Sequence, residues 1–258
     1  MTDTELGFIN RNITLYGMIN DETAREIVSS IKAINDYDDL VDQAQLDMFG
    51  DYIQRGVLKS DAVKGLESRE PIIIEINSGG GYSSAGFAII NAIENSETPI
   101  IGHVTGDCMS MAIAVFASCH YRLSSRLSSF MIHDIHSASE GKFNDMISAI
   151  GYMKQVRKNY KDLLLEYTNL EEDKLTTIVD ANSDYYFTPQ EAVEMGLADA
   201  IDNEEIDEAL LIKKLYGVEL KEEPSDVIDD SELTEGLVNS PSELEVNLED
   251  FDFDSLIS

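Results

Sequence analysis

One serine stands where a nucleophile would be expected, between an apolar segment typical of a strand and an apolar segment typical of a helix. The strand-like segment is Pro99–Val104, the helix-like segment is Met111–Ala117, and the serine is Ser110. A hydroxyl at a strand–turn–helix bend is accessible to a substrate. The N–H groups that begin the helix would also favour a developing oxyanion. Serine is equally an ordinary helix cap, so this pattern alone leaves a purely structural interpretation open.

Two further segments strengthen the chemical interpretation of Ser110. Upstream, Ile76–Gly81 ends in three consecutive glycines, which let a backbone approach a substrate closely and adopt positive φ angles. Downstream, the apolar segment Phe130–His133 ends in a histidine, a side chain that can act as a general base. The glycines could instead form a phosphate cradle, but no Gly-Lys-Ser/Thr sequence follows them.

The elements that must position these residues form an alternating α/β pattern. A strand, a glycine-containing turn and a helix occur twice in succession, which predicts right-handed β-α-β crossovers and a parallel sheet. The predicted strands are Pro71–Ile76 and Pro99–Val104, with turns at Asn77–Gly81 and Gly106–Ser110, and the helices are Ala85–Ile93 and Met111–Ser118. A long helix is predicted at Phe143–Tyr167, where a broad apolar stripe favours burial against more than one neighbour, including another subunit.

Charge and composition divide the chain and restrict its partners. The net charge is −32, which disfavours binding to nucleic acids and to anionic membranes. Residues 202–258 hold 19 acidic and 3 basic residues, so we predict a folded domain at 1–201 and an acidic, largely disordered extension at 202–258. The polar segment at about 35–69 is interpreted as a helical insertion. No apolar run suggests a membrane span, and the first residues lack a signal-peptide pattern, which predicts a cytoplasmic protein.

The cysteines and histidines indicate no metal chemistry. Cys108 and Cys119 lie in one apolar region and are predicted to be buried free thiols of a cytosolic protein. The four histidines are scattered, which argues against a zinc site.

Five motifs, in order and at near-family spacing, make the chain similar to the ClpP family, the proteolytic subunit of the Clp protease. They are Arg11-Asn-Ile-Thr-Leu-Tyr-Gly17 with Asp21, Ile76-Asn-Ser-Gly-Gly-Gly81 followed by Ala85-Gly86, Met109-Ser110-Met111, Met131-Ile132-His133, and Asp184-Tyr-Tyr-Phe-Thr188 with Glu191-Ala192 and Gly196-Leu197-Ala198-Asp199. The resemblance runs from Arg11 to Ile201, with the predicted insertion interrupting it.

The resemblance implies a ClpP/crotonase-like fold of repeated β-β-α units with a long handle helix, and a catalytic triad. Ser110 would be the nucleophile, His133 the general base and Asp184 the residue that orients the imidazole. The N–H groups of Gly81 and Met111 would form the oxyanion hole. His136 and Asp180 are the alternatives for the base and the acid. We favour His133 because His136 lies beyond the predicted strand, and Asp184 because it directly precedes an aromatic strand.

The resemblance also implies partners. We expect stacked, heptameric rings of identical subunits that hydrolyse peptides or unfolded proteins without a metal or an organic cofactor. An AAA+ unfoldase is the family's usual partner, but the docking-cleft positions, commonly aromatic in the family, fall here on Ile73, Glu75 and Asn95. Family members also usually have a proline where Gly79 stands and Gln-Pro where Asp134-Ile135 stands. These departures leave two alternatives: a phage-type capsid maturation protease that works without an unfoldase, or a non-hydrolytic relative that is structural or binds acyl-CoA.

Overall fold

The computed structural model describes residues 9–54, 69–137, 140–181 and 183–218. Within these ranges the chain forms seven strands and seven helices. The strands are β1 (Asn12–Ile19), β2 (Ile72–Gly81), β3 (Ile100–Met109), β4 (Tyr121–Ser124), β5 (Ser129–Ile132), β6 (Tyr185–Phe187) and β7 (Ala200–Ile201). The helices are α1 (Asp21–Gln54), α2 (Ser83–Glu94), α3 (Met111–Ala117), α4 (Phe143–Tyr167), α5 (Glu172–Asp180), α6 (Pro189–Glu194) and α7 (Glu208–Tyr216).

The strands form one mainly parallel sheet, which confirms the α/β fold predicted from the sequence. The strand order is β1-β2-β3-β4-β7, and all of these neighbours are parallel. The strands β2 and β3 begin with runs of isoleucine that are almost wholly buried, because helices cover a parallel sheet of this kind. The short helix α3 lies in the middle of this core, and all seven of its residues are buried.

The strand β3 has a different neighbour along each half of its length. Its first half, Ile101–Val104, pairs with β4, and its second half, Asp107–Met109, pairs with β5. The strand β6 then pairs with β5 in the antiparallel direction. The second half of β3, β5 and β6 therefore form a small extension of the sheet beside the carboxyl end of β2.

The structure differs from the sequence prediction in two of the turns. Asn77–Gly81 was predicted to be a tight turn, but β2 continues to Gly81 because Gly80 and Gly81 pair with Met18 and Ile19 of β1. Similarly, β3 continues to Met109, so that the predicted turn at Gly106–Ser110 is reduced to Ser110 itself. In both segments glycine favours a turn locally, and pairing with a neighbouring strand overrides that preference.

The helix α1 is a single helix of 34 residues. It includes the first part of the segment that we predicted to be a helical insertion at about 35–69. Residues 55–68 lie outside the described residues.

The helix α4 has the predicted bounds, Phe143–Tyr167, but its apolar residues are not uniformly buried. Val156, Tyr160 and Leu164 in the second half pack into the core. The first half exposes a group of large apolar side chains, which we call the α4 apolar face: Phe143, Met146, Ile147 and Ile150. The buried half therefore anchors the helix beside the sheet, and the exposed half offers a surface.

The helix α7 belongs to the same compact unit as the sheet, and this unit extends to Glu219. Three apolar residues of the helix are buried: Leu211, Ile212 and Leu215. Lys214 also donates to Asp199 at 2.5 Å. Composition placed the boundary after Ile201 because the acidic residues around α7 resemble those that follow them in the sequence. Residues 219–258 lie outside the described residues. Among the described helices, none is long and apolar enough to cross a membrane.

Candidate active site

Sheet topology brings three predicted site residues together at one edge. Ser110 directly follows β3, and His133 directly follows β5; because these strands are parallel, their carboxyl ends meet. Asp184 directly precedes β6, and because β6 is antiparallel to β5, it begins where β5 ends, with Tyr185 opposite Ile132. The register of the sheet therefore brings the backbones of these three residues to the same corner.

The backbone at Ser110 reverses sharply, with φ 54° and ψ −123°. Among the described residues other than glycine, only Asn203 also has a positive φ. Such a conformation costs about 1–3 kcal/mol and is maintained only where the surroundings fix it, commonly at functional sites. Ser110 occupies the N-cap position of α3, but its side chain makes no capping hydrogen bond. The helix-cap interpretation of this serine is thus not supported by the structure.

The glycine end of β2 packs directly against the turn at Ser110. A Cβ atom at Gly80 would lie 2.7 Å from the Met109 carbonyl oxygen and 2.8 Å from the Ser110 Cβ, and its φ of +89° is itself unfavourable for other residues. The Ser110 N–H donates to the Met131 carbonyl at 2.8 Å. The turn is therefore held on two sides, by packing against the end of β2 and by the hydrogen bond to β5.

His133 contacts both proposed partners, at different distances. Its Nε2 lies 2.7 Å from the Ser110 Oγ, a normal hydrogen-bond distance. Its Nδ1 lies 3.8 Å from an Asp184 carboxylate oxygen, which is too long for a hydrogen bond but close enough for an ion pair when the imidazole is protonated. Catalytic hydrogen bonds are often long in ligand-free proteins and shorten when a substrate binds.

The two alternative residues have other contacts. The ring of His136 stacks on that of His133, with centroids 5.4 Å apart. Asp180 forms an ion pair with Arg157 of α4. The structure thus brings Ser110 to His133 and places His136 on the face of that imidazole.

The predicted oxyanion-hole residues, Gly81 and Met111, both line a cavity of about 630 Å³ beside Ser110. Met111 is the first residue of α3, so its N–H has no partner within the helix and lies at the positive end of the helix dipole. Apolar side chains form the rest of one wall: Ile135, Met153 and Val156. The cavity can therefore receive an apolar group beside the Ser110 hydroxyl.

Tyr160 is a site residue that sequence reasoning assigned only to the apolar stripe of α4. Its hydroxyl donates to the Ser110 carbonyl at 3.1 Å. Burial raises the pKa of its phenol, so the hydroxyl remains protonated and serves as a donor. Nothing in a helical pattern distinguishes such a tyrosine from core filler. Among the described residues, no group of three or more His, Cys, Asp or Glu side chains could hold a metal ion.

Comparisons with known proteins show the family of this chain. The family model described as Clp protease matches residues 61–205, more than half of the chain. An ATP-dependent Clp protease proteolytic subunit 1 from Chlamydia caviae is 28% identical over 181 residues, which cover 65% of this chain and 94% of that protein. The protein of the same name from Shouchella clausii is 34% identical over 142 residues, covering 53% of this chain and 72% of that one.

The packing of Gly80 against the turn leads to a prediction with a matched control. Gly80→Ala should destabilise the protein by about 3 kcal/mol and disturb the Ser110 turn, because the new methyl group meets backbone atoms that cannot move independently. Gly79→Ala should have little effect, since no atom lies within 4 Å of a Cβ at that position. Chemical denaturation of both variants measures the difference. Equal stability of the two variants would contradict the described packing.

Proposed function

Because the chain belongs to the Clp protease family, we propose that it is a serine endopeptidase in which Ser110, His133 and Asp184 form the catalytic triad. The observation that carries this proposal is the 2.7 Å contact between His133 Nε2 and Ser110 Oγ at a strained strand-to-helix turn. A serine that merely capped α3 would direct its hydroxyl to the helix N–H groups instead.

In the proposed reaction, the Ser110 Oγ attacks the scissile carbonyl carbon while His133 Nε2 takes its proton. The C–N bond of the resulting tetrahedral intermediate then breaks, and His133 gives the proton to the leaving amine. Water, deprotonated by the same imidazole, hydrolyses the acyl-enzyme and regenerates Ser110. Asp184 stabilises the imidazolium that forms in each half of the reaction.

The N–H groups of Gly81 and Met111 are proposed to stabilise the oxyanion of both tetrahedral intermediates. Removing one such donor typically costs about 3 kcal/mol of transition-state stabilisation. Both residues line the cavity beside Ser110. The approach of Gly80 to Ser110 and Met111 brings the two backbones together there, so the donors are fixed by the sheet before a substrate binds.

Variants of the proposed triad test this function directly. Ser110→Ala and His133→Ala should each reduce hydrolysis of a short fluorogenic peptide by at least about a thousandfold, because nucleophile and base act as a unit. His136→Ala should retain most activity, and Ser83→Ala, at a serine that also lines the cavity, serves as the matched control. The measurement is the rate of peptide hydrolysis by each variant, and thermal melting verifies that each variant is folded. Full activity of Ser110→Ala, or equal losses in the two histidine variants, would contradict the assignment.

We propose further that the subunits assemble into stacked heptameric rings and that the α4 apolar face forms the contact between rings. Its four residues recur at spacings of three and four, so they lie along one side of the helix. Phe143 is 77% exposed and Ile147 is 53% exposed in the isolated chain. Exposed apolar groups of this density are typical of protein–protein interfaces. A second copy presenting the same face would bury them symmetrically.

Charged substitutions in the α4 apolar face should separate the assembly. Ile147→Glu with Ile150→Glu should reduce the particle mass measured by mass photometry, because carboxylates would be buried without partners at the contact. Ser148→Glu adds one carboxylate at an exposed position of the same helix outside the α4 apolar face, and it should leave the mass unchanged. An unchanged mass for the double variant would contradict this surface as the contact.

A phage-type maturation peptidase that acts without an AAA+ unfoldase is the second candidate. The surface around the expected docking position supports it, because Glu75 replaces a family aromatic and accepts a hydrogen bond from Tyr16 at 3.3 Å. Asn95, at another docking position, is exposed and polar. The two candidates share one chemistry and differ in whether an unfoldase and ATP increase degradation of a folded substrate.

A further inference from the structure

The helix α4 contacts each of the chain segments that carry the proposed triad. Tyr160 donates to the carbonyl of Ser110 at 3.1 Å. Three residues earlier on the same side of the helix, the Arg157 Nε donates to an Asp134 carboxylate oxygen at 2.7 Å. The Arg157 Nη2 also donates to Asp180. One guanidinium therefore binds two carboxylates from separate segments.

Those two carboxylates lie beside the proposed base and acid in the chain. Asp134 directly follows His133, and Asp180 is the last residue of α5, four residues before Asp184. We infer that Arg157 is a positioning residue, which holds the segments of His133 and Asp184 at the spacing that catalysis requires. This inference rests on the proposed function of the triad.

The sheet alone does not fix His133 and Asp184 relative to each other. Each lies just outside its strand, His133 after the end of β5 and Asp184 before the start of β6. The distance of 3.8 Å between His133 Nδ1 and Asp184 is too long for the hydrogen bond that would orient the imidazole. The bridge through Arg157 supplies a direct restraint on both segments from a third element.

Arginine suits this arrangement better than lysine does. Its planar guanidinium presents several N–H donors in fixed directions and can bind two carboxylates at once, whereas an ammonium group acts as a compact point charge. Hydrogen bonds to Asp134 and Asp180 raise the pKa of Arg157 further, so it stays charged at every pH at which the protein would act.

The alternative is that the ion pairs of Arg157 serve only to stabilise the fold. The exposed fractions of the three side chains distinguish that role from the positioning of catalytic residues. The side chains of Arg157, Asp134 and Asp180 are 34%, 45% and 51% exposed. Ion pairs this accessible contribute little to global stability. Loss of Arg157 should therefore slow the chemistry while leaving the fold intact.

The test measures how fast Ser110 reacts with a fluorophosphonate, because that rate reports the activation of the nucleophile without depending on peptide binding. Arg157→Gln should slow labelling by about tenfold to a hundredfold, the scale of an ångström-sized misplacement at a catalytic group. Peptide assays should show the loss in kcat rather than in KM, with Tm unchanged. Arg157→Lys should fall between wild type and Arg157→Gln, since it can keep one of the two contacts.

Lys158 provides the matched control. It is the next residue of the same helix and pairs with Asp162, one turn away on the helix. Lys158→Gln should label at the wild-type rate. Asp134→Asn combined with Arg157→Gln should lose no more than Arg157→Gln alone, because both changes break the same bridge.

Four results would overturn the inference. Labelling of Arg157→Gln at the wild-type rate would show that the bridge does not position the base. Slowing only in proportion to a loss of folded protein, or an equal loss in Lys158→Gln, would assign Arg157 a structural role. If the wild-type protein were not labelled at Ser110 at all, the proposed function would fail first, and this inference with it.

Discussion

The close approach of two backbones, the end of β2 and the turn at Ser110, is the constraint on which the rest of the site depends. Only a residue without a side chain fits at Gly80, because a Cβ there would lie within 3 Å of the turn. That proximity brings the Gly81 and Met111 segments to one cavity and supports the unusual φ of Ser110. Pairing of β2 and β3 with their neighbouring strands keeps the two backbones in place. This pairing offsets the conformational cost of the turn.

The second feature that builds the site is the change of neighbour along β3. Had β3 paired with β4 along its whole length, no strand would end beside Ser110 with a histidine. Pairing of its second half with β5 places His133 there, and the antiparallel strand β6 then delivers Asp184 to the same corner. The helix α4 completes the arrangement from the side, where Tyr160 holds the Ser110 carbonyl. Each part of the site is thus anchored by a different element.

Sequence patterns predicted the elements that depend mainly on residues close together in the chain. The long helix Phe143–Tyr167 and the strand-to-helix bend at Ser110 were visible in the spacing of apolar residues. The continuation of β2 through Gly79–Gly81 was not, since three glycines favour a turn unless a neighbouring strand pairs with them. The role of Tyr160 and the bridge through Arg157 depend on contacts between residues distant in the chain, which a helical pattern does not encode. The end of the compact unit was misplaced for a related reason: composition registers the acidic residues near α7, but not the burial of its apolar side.

The central claim is that the strained serine at the end of β3 is the nucleophile, and the most direct measurement is the location of a covalent adduct. The full chain is incubated with a fluorophosphonate, digested, and mapped by tandem mass spectrometry. The account predicts a single adduct on the peptide that contains Ser110, with Ser78, Ser83 and Ser84 unmodified although they lie on the adjacent glycine segment and helix. An adduct on one of those three serines, or no adduct on a folded protein, would contradict it.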